Sequence, residues 1–189
     1  MHIRPATIRS RSLALAVDLG IIILYAGCLL SVTLSFYYFV LGRTPDVLGS
    51  FGVNGAHLLG FTVLTLPVGL YFFLTEAGHR HASVGKRVAR ITVASTSGKS
   101  VSKGQILVRT IVKLLPWEFA HTFIYEVVYY SSHGRTTPAW VLAGLCMANA
   151  FPLLYILTVL IRKDHRGPHD LAACTIVTAR SSHASPAIL

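Results

Sequence analysis

The sequence predicts an all-α integral membrane protein, a four-helix transmembrane bundle with a short β-hairpin-like loop on its cytoplasmic side. Three observations carry this. Of 189 residues, 53% are hydrophobic and only 13% charged, about half the charge of a soluble domain. Residues 19–42, 58–75 and 136–161 contain no charged side chain, and a helix needs roughly 20 apolar residues to cross hydrocarbon. The cations are also segregated. Of 17 Lys and Arg, three precede the first run (Arg4, Arg9, Arg11), eight lie between residues 77 and 113, and four follow residue 161.

The first run reads as a retained helix over 13–41 rather than a cleaved leader, because it is long, contains Asp18 and is followed by further spans. Residues 57–75 and 138–161 are the next clear spans. Only Arg43 and Arg135 occupy the remaining loops. The positive-inside rule then puts the N-terminus, the 78–104 loop and the C-terminus in the cytoplasm of a cell (inner or plasma) membrane. Both ends on one side require an even number of spans, so a fourth is expected over 110–132. That segment holds Glu118, His121 and Glu126. On a helical wheel Glu118, His121, Thr122, Tyr125 and Tyr129 share one face, opposite Phe119, Phe123 and Val127. Such a helix can cross if its polar face meets protein; the alternative is a helix lying in the membrane plane.

Residues 78–104 differ in kind. "RVARITVA" alternates and "TSGKS" is turn chemistry, so a β-hairpin at the membrane surface is expected. "VGK" does not make a phosphate loop, since Arg80 stands where the first glycine is required and Arg87 where Ser or Thr should follow. Arg109 and Lys113, one turn apart, belong at headgroup depth. Cys28, Cys146 and Cys174 are scattered, which argues against a disulfide framework or thiolate metal site. No repeat suggests an inverted-repeat transporter. One domain is expected over 9–178, with a flexible tail over 179–189.

Three motifs stand in order: Arg11 and Asp18 in the first span, "SVGKRVARITVASTSGKSVSKGQILVRTIVKLLP" over 83–116, and "HDLAACTIV" over 169–177. Together they resemble the RDD family of small bacterial and archaeal membrane proteins, named for one arginine and two aspartates. The resemblance maps these to Arg11, Asp18 and Asp170. Its most specific parts are the Gly85-Lys86-Arg87 segment and the His169-Asp170 pair; Val84 stands where the family often has Leu or Ile. It implies the architecture above and leaves activity open, since some members have been proposed to exchange monovalent cations for protons.

An aspartate in hydrocarbon should face protein and pair with a cation. Arg11, two turns away on the same face, and Arg109 or Lys113 are the expected partners of Asp18. Asp170, after the helix-breaking Gly167-Pro168, is expected to pair with Lys86 or Arg87, with "LAACTIV" packing under the bundle or against the hairpin. Either these pairs only clamp helix ends, or Asp18, Glu118 and His121, with Tyr125, form a protonatable path. His79, His81, His165 and His169 all fall in the cytoplasmic segments, but no metal site, cofactor or enzymatic constellation is expected. The functions that follow are proton-coupled transport of monovalent cations or small solutes, or an accessory role on a larger complex or on lipid. The partners are the bilayer, a homo-oligomer or a larger membrane complex, and a proton or monovalent cation, with no nucleic acid.

Overall fold

The structure, a computed structural model, describes residues 5–180; the expected tail lies outside these beyond Arg180. It is mostly helical. Helix α1 (Ile8–Phe39) begins where the Thr7 hydroxyl accepts the Ser10 N–H. Helix α2 (Val47–Gly60) continues through a π-helical turn, Phe61–Thr65, into α3 (Leu66–Ala77). The second span thus begins ten residues earlier than expected, at Val47, with a break at Gly52, whose φ of 64° suits glycine. After a short helix α4 (Val84–Val88) and strand β1 (Ile91–Ser95), α5 runs without interruption over Lys103–Ser132. Helix α6 (Ala139–Ile161), the short α7 (Pro168–Ala172) and strand β2 (Thr175–Ala179) complete the chain.

Helix α1, the continuous α2–α3 segment and α6 are each long and apolar enough to cross a membrane. Most of their large apolar side chains point outward, including Leu24, Phe36, Leu74, Leu154 and Ile161. In water such surfaces would be a liability; in lipid they are solvated.

The expected local hairpin is corrected. Strand β1 pairs antiparallel with β2, with Val93 opposite Val177, and the chain after the turn at Gly98 does not come back as a strand. Competing chemistry decides this. Ser102 and Gln105 form a reciprocal capping box that starts α5 only three residues after Lys99. The partner strand therefore comes from the far end of the chain, and Gln105 fixes it by donating to Ala173 O at 3.0 Å. Ile91 and Val177 pack with Ala6 and Ala14 in a small core beneath the start of α1.

Two prolines shape the helices. Pro67 and Pro116 carry no N–H, so the carbonyls four residues earlier lose their helical donor. A tyrosine from a neighbouring helix replaces it in each case. Tyr25 of α1 donates to Val63 O at 2.5 Å, and Tyr155 of α6 donates to Val112 O at 2.6 Å.

Helix α4 lies across α1 at Gly85. A Cβ there would collide with Ala14 O and sit 2.8 Å from the Asp18 carboxyl carbon. Backbone and a committed carboxylate cannot yield as a flexible side chain would. Gly85→Ala should therefore lower stability by at least the ~1–3 kcal/mol of an overpacked core. Thermal unfolding in detergent measures it, and a wild-type midpoint would show that α4 does not seat on α1.

Candidate functional site

Two polar clusters occupy the helical part. The first caps the end where α1 and α5 begin and α3 and α6 finish. The second lies about halfway along α5.

The cap is organised by Arg109, from the second turn of α5, fully buried between two buried carboxylates. Its Nε donates to Glu76 Oε2 at 3.0 Å, and its Nη1 donates to Asp170 Oδ1 and to Thr175 Oγ1, the latter at 3.2 Å. Glu76, one residue before the end of α3, also accepts from Lys86 Nζ at 2.7 Å and Lys113 Nζ at 3.1 Å. Lys113 further lies 3.9 Å over the Phe72 ring, where the negative face of the ring helps hold the ammonium. Asp170 takes Arg11 Nη1 at 3.3 Å and the Gly167 N–H at 3.2 Å. Arg166 closes the loop by donating to Thr175 O and Asp170 O.

Several expected pairings are therefore different. Asp18 pairs with no cation among the described residues. It accepts from the Tyr71 and Ser83 hydroxyls at 2.6 Å each and from the Gly85 N–H at 2.8 Å. Three donors satisfy a carboxylate without a salt bridge. Arg11, about 11 Å along the helix from Asp18, turns instead to Asp170 and to Val177 O at 3.4 Å. Arg109 and Lys113 go to Glu76, as does Lys86, which was expected on Asp170. Arg87 is exposed and donates to Ala82 O at 3.0 Å. Glu76 is the residue that sequence reasoning missed; at the end of an apolar run and before a basic loop it resembles a solvated span boundary.

His169 Nε2 lies 3.5 Å from Asp170 Oδ2, and its ring stacks on Tyr155. Burial, and the nearby Arg109, Lys113 and Lys86 charges, hold it well below the usual histidine range. It is a neutral neighbour of the cap and not one of its cations. The four histidines are not gathered either. His81 is bound to Glu76 O and His165 to Val159 O. Among the described residues no group of three or more His, Cys, Asp or Glu is placed to hold a metal.

The second cluster centres on Glu118. His57 of α2 approaches its Oε2 at 3.3 Å, His121 approaches Oε1 at 3.3 Å, and the Thr65 hydroxyl donates to Oε1. Tyr125 packs against both imidazoles. Its hydroxyl sits against Gly60, where any Cβ would overlap it. The wheel reading holds for these groups: Glu118, His121 and Tyr125 face the second span, while Phe119 and Phe123 pack on Phe151 and Gly144 of α6. Tyr129 stands apart, against His133 and Tyr130, and Thr122 bonds Glu118 O of its own helix. Nine residues of helix, about 14 Å, separate Arg109 from Glu118. Asp18 shares no partner with Glu118, so the expected Asp18–Glu118–His121 path divides into two separate clusters. His57 was not foreseen, since it lies where the second apolar run begins.

Cluster geometry orders the costs of substitution. Glu76→Gln leaves three cations facing a neutral amide, and removing one member of a buried pair typically costs ~3–5 kcal/mol. Asp18→Asn keeps an acceptor for two of its three donors, and a lost hydrogen bond costs about 1–3 kcal/mol. Thermal unfolding in detergent should rank Glu76→Gln well below Asp18→Asn. The reverse order would mean that Asp18, not Glu76, neutralises the cap.

Comparison with known proteins gives one result for the family and none for individual relatives. No curated protein and no solved structure matches the chain. A family model, that of the RDD family, matches residues 5–174, a stretch holding Arg11, Asp18, Glu76, Arg109, Glu118 and Asp170. This chain is a member of the RDD family of membrane proteins.

Proposed function

We propose that this RDD-family protein crosses the membrane four times and moves protons, coupled to monovalent cations or small solutes, with Glu118 as the proton-carrying group. The observation that carries the reading is Glu118 bracketed by His57 and His121 halfway along the helices. Ionisable groups at membrane depth are costly and mark ion or proton routes. A carboxylate between two imidazoles can pass a proton to either side, because each of these groups can accept a proton and give it up. The Phe61–Thr65 π turn supports this. It sits beside Glu118 and places Thr65 against it, and such turns are frequent at functional sites. Four helices are few to enclose a path, so a homo-oligomer belongs to the reading. No catalytic chemistry is invoked.

Helix α5 is the fourth span in this reading. Its 30 residues are long enough, and its ionisable groups Glu118 and His121 turn towards α2 and the π turn. The distribution of Lys and Arg supports both termini and the α4–β1 region being cytoplasmic. A cysteine introduced at position 48 should react with a membrane-impermeant reagent in intact cells, and one at position 98 should not. Reaction at 98 from outside would overturn the orientation.

The accessory reading has its own observation. The three signature residues, Arg11, Asp18 and Asp170, all make bonds that hold helix ends together, which is a structural task. Flux separates the two. In liposomes under a proton gradient and then a sodium gradient, wild type should move ions above the lipid background. Glu118→Gln should fold and lose that flux at least tenfold, and His57→Gln or His121→Gln should shift its pH dependence. Wild-type protein without proton, sodium or potassium movement would leave the accessory reading.

A further inference from the structure

We infer that the cleft between the start of α1 and the loop after α6 binds the phosphate of an anionic phospholipid headgroup. The cleft has a volume of about 520 Å³ and is lined by Pro5, Thr7, Ile8, Arg9, Lys163 and His165. It therefore offers two cations and an imidazole over a partly apolar floor, and no carboxylate. Arg9 and Lys163 are exposed, and among the described residues neither is in an ion pair with a carboxylate. The nearest carboxylate along the chain, Asp164, is already taken. Arg162 holds it through two bonds of 2.9 and 3.0 Å and Arg166 lies 3.8 Å away. The hydrogen bond from Arg162 keeps it below the usual carboxylate range. His165 Nδ1 donates to Val159 O at 3.1 Å, so Nε2 of the neutral ring is an acceptor and the phosphate contacts fall to Arg9 and Lys163.

Position decides between a lipid and a free phosphate. Ile161, the last residue of α6, is 78% exposed, and Ile8, the first of α1, is 38% exposed. Ile161 needs hydrocarbon beside it and Lys163 lies two residues beyond it as the chain leaves α6, while Ile8 and Arg9 open α1 ahead of Arg11 at the same end. The cleft thus spans the boundary between acyl chain and headgroup. Basic pockets between membrane helices are suited to anionic headgroups. The ligand class is therefore a phospholipid with net negative charge, whose phosphate meets Arg9 and Lys163 and whose acyl chains run past Ile161.

The test uses the full-length chain in neutral detergent, titrated with short-chain phosphatidylglycerol, with phosphatidylcholine of the same chain length and with inorganic phosphate, and read by native mass spectrometry. Phosphatidylglycerol should bind in preference to both of the others. With about 1 kcal/mol for each cation, Lys163→Gln should weaken it on the order of fivefold, and Arg9→Gln with Lys163→Gln on the order of 25-fold. Lys99→Gln with Lys103→Gln removes the same charge from exposed positions elsewhere and should leave binding within about twofold of wild type. Equal weakening by the two double variants would mean a diffuse charge effect and overturn the site. So would equal binding of phosphatidylcholine, equal binding of inorganic phosphate, or unchanged binding by Lys163→Gln, the variant least exposed to folding failure.

Discussion

Arg109 is removed from water, always charged, and placed where a guanidinium is tolerated only if its donors are used. Its Nε and Nη1 are used, on two carboxylates from different parts of the chain. Glu76 ends α3, and Asp170 begins the segment after α6. One side chain on α5 thereby fixes the ends of two other helices, and through Asp170 it also reaches Arg11 of α1. An uncompensated charge here would cost several kcal/mol, so the arrangement is close to all-or-none. Four cations, Arg11, Lys86, Arg109 and Lys113, surround these two carboxylates. Burial, together with this surplus positive charge, explains why His169, close by, stays neutral. The surplus also fits a position at headgroup depth, where lipid phosphates can supply the missing negative charge.

Asp18 performs a different task in the same cap. Its three donors are a phenol, an alcohol and a backbone amide, and the amide belongs to the glycine that lets α4 touch α1. The Gly85-Lys86 pair thus works twice in adjacent positions. The glycine gives the close approach and the N–H for Asp18, and the lysine turns to Glu76. The strength of this family-specific segment in the sequence follows from geometry at both residues.

The parts of the fold legible from sequence were those governed by local pattern. Uncharged runs marked three spans, the period of α5 separated an aromatic face towards α6 from an ionisable face, and alternation marked β1. The parts that were not legible depend on which distant groups meet. Arg11, Asp18, Arg109, Lys113 and Asp170 all stood out as ionisable groups near apolar segments, and all lie in the cap, yet their pairing could not be read from spacing. Arg11 and Asp18 share a helix face, but the better acceptor for Arg11 arrives 159 residues later. Glu76 and His57 went unseen for a related reason. Each lies at the edge of an apolar run, where a polar residue normally meets water, and only tertiary packing buries it. The hairpin failed because alternation predicts a strand and says nothing of its partner, while the Ser102–Gln105 cap had already claimed the residues a second strand would need.

The long separation between Arg11 and Asp170 has a consequence for biogenesis. A ribosome delivers this chain from the N-terminus, so α1, the α2–α3 segment and α5 are all made before Asp170 exists. Through that interval Arg11 has no acid of its own, Arg109 has only Glu76, and β1 has no neighbour. Closure of the cap therefore waits for Asp170 and β2 and cannot precede the synthesis of α6. Products that stop short of residue 170 leave Arg11 without an acid and the edge of β1 without a partner.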